Sequence, residues 1–167
     1  AQPLAREDAA RALGAFSEVA PLANQLLARW PVRASGPQRL WFAEDGFCLT
    51  LQIGEAGSVL PGLIGPFDAF FLDGFAPARN GAMWTDALFQ ALGSLAAPGA
   101  RLATYSVAGP VRRGLAAAGF EVRKMAGFAA KRERLEGRFV GPAPPPDPAG
   151  LAYGPAPSDF SENPIAI

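Results

Sequence analysis

The sequence predicts an α/β layered fold on a mainly parallel sheet that ends in one antiparallel strand. Three observations predict it. "DAFFLD" and "PGARLATYS" are short continuous apolar runs of the kind that form buried strands. Segments with helical apolar spacing follow each of them, which gives the strand and helix alternation of a layered fold. The alternating "KRERLEGRFV" then supplies a half-buried strand placed to return antiparallel.

Taken in order, the chain from Ala5 to Trp30 repeats Leu13, Phe16, Val19, Leu22, Leu26 and Leu27 at helical spacing, and Pro21 suits the first turn of a second helix. Two helices are expected, broken off by Pro31, Gly36 and Pro37. "QRLWFAEDGFCLTLQI" reads as a hairpin with its tight turn at Asp45-Gly46, closed by Gly54 and Gly57. "SVLPGL" is a short helix candidate. "DAFFLD" is expected to be a strand covered on both faces. "TDALFQALGSLA" is a helix with Leu88, Leu92 and Leu95 on one face after a Thr85 cap. "AGPVRRGLAAAG" is a helix stopped at Gly119, and "FEVRKM" a half-buried strand. From Phe139 to Ile167, 8 of 29 residues are Pro and none is Lys or Arg, which predicts a linker or tail after a domain spanning residues 1–138.

The 167 residues suffice for one ordinary domain with a core. Basic and acidic residues balance at 15 each, so any electrostatic grip on an anionic partner must be local. It is local: Arg101 to Arg138 holds nine Lys and Arg against Glu121, Glu133 and Glu136, while the remainder carries six basic and twelve acidic residues. Arg112, Arg113, Lys124, Lys131 and Arg132 are the candidate phosphate contacts, the alternative being ordinary solvated faces. No apolar run reaches the roughly 20 residues of a membrane-spanning helix. The single Cys48 sits in an apolar run as an expected buried thiol, so a cytoplasmic, membrane-free protein is expected. There is no histidine, which removes Ser-His-Asp and Cys-His catalysis and most zinc chemistry; no metal site is expected.

Open α/β sheets bind ligands beyond the carboxyl ends of their strands. That rule places Glu55, Asp73-Gly74-Phe75 and Tyr105-Ser106 on one rim. Glu55 could accept hydrogen bonds from an adenine or ribose, or be a solvated loop charge. Asp73 ends an apolar strand, where a carboxylate needs water or a partner. It is read either as a ligand-facing group or as an Asx turn with "GFAP". Gly74 permits close approach, Pro77 stiffens the loop, and Phe75 and Trp84 could wall a flat base, with plain packing as the alternative for Trp84.

The run "FDAFFLDGFAPARNGAMWTDALFQALGSLAAPGARLATYSVAGPVRRGLAAAGFEVRKMAGFAAKRERLEG", residues 67–137, resembles the methyltransferase domain of the bifunctional tRNA 5-methylaminomethyl-2-thiouridine biosynthesis proteins, the MnmC family. The likeness extends more loosely to "PLAREDAARAL" and "PLANQLLARWP". It implies a partial class I, Rossmann-like methyltransferase sheet, S-adenosylmethionine as cofactor and tRNA as partner. The implied reaction is methyl transfer to the aminomethyl group of 5-aminomethyl-2-thiouridine, with FAD confined to a companion oxidoreductase domain. On this resemblance Asp73 is the catalytic residue; Glu55, Asp73, Gly74, Phe75 and Tyr105 hold the cofactor; Phe75, Pro77 and Trp84 shape the substrate pocket. Glu55 replaces the family's usual Asp, and Gly81 follows Asn80 where the family has Pro. The cofactor's glycine-rich turn and the acidic residue after the second strand are expected to precede Ala1, which would make the chain an internal piece of a longer protein. The rival reading is a truncated or degenerate methyltransferase-like module that binds tRNA or a partner without catalysis.

Overall fold

A computed structural model describes residues 4–127 and 131–143. The expected tail falls on residues 139–167, most of which lie outside the described residues. The chain divides at Glu55/Ala56 into two compact units.

The first unit contains α1 (Arg6–Leu13), a 3-10 turn at Ser17–Val19, α2 (Ala20–Ala28) and the strands β1 (Gly36–Phe42) and β2 (Phe47–Ile53). Pro21 stands in the first turn of α2, as expected. Arg6 Nε donates to the Leu27 carbonyl and Trp30 Nε1 to the Leu4 carbonyl, both at 3.0 Å, which ties the two helices together. β1 and β2 pair antiparallel from Gly36↔Ile53 to Phe42↔Phe47. The turn is wider than a two-residue one: Ala43–Asp45 make a 3-10 turn and Gly46 closes it at φ 67°, a left-handed conformation that glycine adopts without a Cβ clash. Phe42 and Phe47 stack across its base at 4.5 Å. Cys48 is half-buried rather than buried, because a two-stranded hairpin covers its faces incompletely.

The second unit runs through α3 (Ala56–Val59), β3 (Phe67–Phe71), α4 (Asp86–Ser94), β4 (Ala96–Thr104), α5 (Gly109–Ala117), β5 (Phe120–Ala126) and β6 (Glu133–Phe139). Its four strands form one sheet in the order β3-β4-β6-β5. β3 and β4 are parallel; β6 is antiparallel to both β4 and β5, so β3, β4 and β5 share one direction and the final strand opposes them.

Local chemistry places the helices as read. Thr85 Oγ1 accepts from the Leu88 amide at 3.3 Å and starts α4. Gly119, at φ 93°, ends α5. Leu88, Phe89 and Leu92 of α4 and Val111 and Leu115 of α5 pack with Phe70, Leu102, Phe120, Leu135 and Phe139 of the strands into one core. Gly114 is required there, since a Cβ on it would lie 2.2 Å from the Phe89 ring.

A further expectation is overturned. "DAFFLD" is not covered on both faces: β3 is an edge strand that buries Phe70 and leaves Phe71 82% exposed. Helices α4 and α5 pack on one side of the sheet. On the other side β4 shows Arg101 and Ala103, with Tyr105 just beyond its end, and β6 shows Arg134, Glu136 and Arg138, the residues that alternate with the buried ones.

Candidate active site

The carboxyl ends of β3 and β4 open into a cavity of about 270 Å³ lined by Phe71, Leu72, Asp73, Ala103, Thr104, Tyr105 and Arg134. Parallel pairing sets Phe71 beside Ala103, and strand alternation puts Tyr105 on the same side, two residues on. Thr104 pairs with Leu135, which brings the neighbouring Arg134 up to Tyr105 from β6. The structure therefore brings together two of the expected rim residues, Asp73 and Tyr105. Glu55 is an exposed residue of the first unit; it follows β2, which pairs with β1.

The Asp73 carboxylate is exposed and has no hydrogen-bond or ion-pair partner among the described residues, so the Asx turn considered for it does not form. The loop behind it is held by other means. Pro77 occupies the second position of a turn in which the Arg79 and Asn80 amides donate to the Ala76 carbonyl at 2.7 and 3.1 Å. Trp84 Nε1 donates to the Phe75 carbonyl at 2.8 Å, and its indole packs toward Phe89 at 6.5 Å. Trp84 is thus a packing residue with a polar hook, and it does not line the cavity. Phe75 is 72% exposed and does not line it either. Gly74 has its close approach to Met83 and Trp84, since a Cβ would lie 3.1 Å from Met83 Cε.

The expected anion contacts fall into two groups. Arg112 and Arg113 are exposed in the first half of α5; Arg113 lines a cleft of about 460 Å³ with Asp86, Gln90 and Pro110. Lys124, Lys131 and Arg132 lie at the far end of the β5–β6 hairpin, where Lys124 is paired with Glu133 at 2.8 Å. Both groups stand toward the carboxyl end of the parallel strands, because α5 starts there and β5 ends there.

Arg134 was not singled out by the sequence. Its Nε and Nη2 reach Glu136 Oε1 at 2.7 and 2.5 Å, and its Nη1 donates to the Ala126 carbonyl. Arg and Glu two apart in an alternating strand point to the same side, a signal for this pair that the sequence does carry.

The S-adenosyl-L-methionine-dependent methyltransferase family matches residues 17–139. The chain belongs to that family. Among its curated relatives, a protein from Maricaulis maris named tRNA 5-methylaminomethyl-2-thiouridine biosynthesis bifunctional protein MnmC is 55% identical over 141 residues, 84% of this chain and 24% of the relative. The protein of the same name from Ectopseudomonas mendocina is 52% identical over 143 residues, 85% of this chain and 22% of the relative. The chain thus spans about a quarter of the length of the curated relatives it matches. The crystal structure of MNMC2 from Aquifex aeolicus superposes with a TM-score of 0.58 at 22% identity, covering 78% of this chain and 40% of that one. That likeness shows the fold, the mixed sheet of a methyltransferase. Among the described residues of this methyltransferase no helix is long and apolar enough to cross a membrane.

Proposed function

We propose that this methyltransferase domain transfers a methyl group from S-adenosylmethionine to the aminomethyl nitrogen of a modified wobble uridine in tRNA, 5-aminomethyl-2-thiouridine, as part of a protein whose companion domain binds FAD. The observation that carries the reading is the unpartnered Asp73 carboxylate at the carboxyl end of β3, in a chain whose relatives are named for this modification.

The residues present suit the cofactor's reactive end. An exposed carboxylate and an aromatic ring, Asp73 and Tyr105, line one cavity and favour a cationic sulfonium beside them. The exposed Phe75 ring offers a flat surface to adenine, and Gly74 keeps the loop close to Met83. When bound, S-adenosylmethionine supplies the electrophilic methyl group. What the chain must add is alignment and a deprotonated nitrogen, neither of which needs histidine. Asp73 accepts a hydrogen bond from the amine, aims its lone pair and stabilises the positive charge that grows on nitrogen. Pro77 and Trp84 fix the loop that carries Asp73 and Phe75. Arg112, Arg113, Lys124, Lys131 and Arg132 contact the tRNA backbone, with Lys124 exchanging Glu133 for phosphate.

Methyl transfer from labelled S-adenosylmethionine to tRNA carrying the aminomethyl group tests the reading, with the domain assayed in a full-length protein. Asp73→Asn is expected to lower kcat about a hundredfold, within the range for a positioned acid or base, while the urea midpoint of unfolding stays unchanged. Full activity in Asp73→Asn would remove Asp73 from the chemistry. Salt-sensitive tRNA binding without any S-adenosylmethionine binding would instead favour the non-catalytic module.

A further inference from the structure

We infer that Met83 and Trp84 are positioning residues for the reaction: together they clamp the backbone of Asp73-Gly74-Phe75 and so aim the Asp73 carboxylate, without touching cofactor or substrate themselves. That the aimed group is the one that meets the amine rests on the methyltransferase reading above, while the clamp itself stands on contacts within the loop.

Nothing on the Asp73 side chain fixes its direction, since the carboxylate has no partner among the described residues. Its direction must come from the backbone. Upstream, the Leu72 amide donates to the Ala103 carbonyl at 2.9 Å and ties the end of β3 to β4. Downstream, the first tether is the Trp84 indole, whose Nε1 donates to the Phe75 carbonyl at 2.8 Å. Between these two points the amides and carbonyls of Asp73 and Gly74 make no hydrogen bond among the described residues. Packing closes the gap. A Cβ on Gly74 would lie 3.1 Å from Met83 Cε, 3.2 Å from its Sδ and 3.5 Å from Trp84 Cζ2, so the peptide lies against the thioether and the edge of the indole. Gly74 is not in a positive-φ conformation, so what position 74 requires is this contact and not a backbone that only glycine adopts. Both clamping side chains leave the 3-10 turn Gly81–Trp84, which runs directly into the Thr85 cap of α4. Trp84 packs against the core and toward Phe89, which is 1% exposed. The rigidity of the buried side of this unit therefore reaches Asp73 through one indole and one thioether. Alignment is what methyl transfer to a neutral amine needs, and a misplacement of about 1 Å costs on the order of a hundredfold in rate.

Methyl transfer by a full-length protein carrying Trp84→Phe, which keeps a ring beside Phe89 and removes the N–H donor, tests the clamp. The kcat is expected to fall at least about fivefold, while KM for S-adenosylmethionine and for tRNA stays within about twofold and the urea midpoint of unfolding changes little. In an Asp73→Asn background the same substitution should lower kcat by less than about twofold, because a residue that acts through Asp73 has nothing left to aim. Gly74→Ala should also lower kcat by pressing its methyl group against Met83, and adding Met83→Ala should return most of that loss. Hydrogen exchange over residues 72–80, where the bonded amides are those of Leu72, Arg79 and Asn80, should quicken in Trp84→Phe whether or not tRNA is methylated. Faster exchange there in a protein that never methylates tRNA would keep the clamp and remove the reaction assigned to it. Methyl transfer with an unchanged kcat in Trp84→Phe would overturn the inference. So would an equal fall in kcat in the Asp73→Asn background, since Trp84 would then act on the fold as a whole. A rise in KM for S-adenosylmethionine that accounts for the loss would overturn it too, by making Trp84 a cofactor contact. Unchanged exchange over residues 72–80 would overturn it at the level of the contacts themselves.

Discussion

The two sides of the four-stranded sheet are built from the same strands and do opposite work. On one side Leu102, Leu135, Phe120 and Phe139 meet α4 and α5, and the fully buried Phe89, Val111, Leu115 and Leu135 each contribute roughly 1.5–3 kcal/mol by leaving water. On the other side the alternate residues are Phe71, Arg101, Arg134, Glu136 and Arg138, with Tyr105 just past β4, and among the described residues they belong to no buried cluster. The period of two along a strand separates the two sets. The buried core lies on the helix side, while the other side carries exposed charged and aromatic groups.

Exchanging the same residue type across the sheet is the most severe way to break that contrast. Phe89 is 1% exposed and its ring fills the space that Gly114 leaves open, so Phe89→Ala is expected to cost about 3–5 kcal/mol in urea unfolding. Phe71→Ala should change stability by no more than about 0.5 kcal/mol, as expected for an exposed position. Comparable losses in the two variants would mean that the two sides are not different in kind.

Much of this division was legible in the sequence, and what was missed shares a cause. The Thr85 cap, the Gly119 stop and the final antiparallel strand are local signals, and each forms as read. The insertion of β6 between β4 and β5, and the separation of β1–β2 into their own sheet, depend on pairing between distant segments that periodicity does not encode. "DAFFLD" was misread for that reason: a continuous apolar run shows that a strand is present, not whether both its faces are covered. Asp73 and Tyr105 could be placed beside one cavity because strand ends can be located from sequence. For Trp84 the sequence left packing and a pocket wall both open, because loop aromatics look alike until the indole hydrogen bond to the Phe75 carbonyl is seen. Arg134 was passed over as one cation among nine, since its distinction lies in the partners on its edges.

A smaller effect is expected on the helix side where no core is disturbed. Thr85→Ala removes the hydroxyl that accepts from the Leu88 amide and should cost about 1 kcal/mol. Thr85→Ser, which restores the acceptor, should recover most of it. The pair separates capping from packing: if Ser does no better than Ala, Thr85 acts through its methyl group.

The smallest change in stability, and the sharpest test of the division, belongs to the uncovered side. Glu136 is paired with Arg134, and their side chains are 45% and 31% exposed. An ion pair that wet is screened by solvent and salt and contributes about 0–1 kcal/mol. Glu136→Gln should therefore leave the urea midpoint nearly unchanged. It should still loosen Arg134, because the neutral amide holds the guanidinium edge more weakly than a carboxylate does. The Arg134 side chain is then expected to gain mobility, read from the relaxation of its Nε–H group, while stability does not move. A loss of stability as large as that of Thr85→Ala would instead place Glu136 and Arg134 among the groups that hold the sheet together.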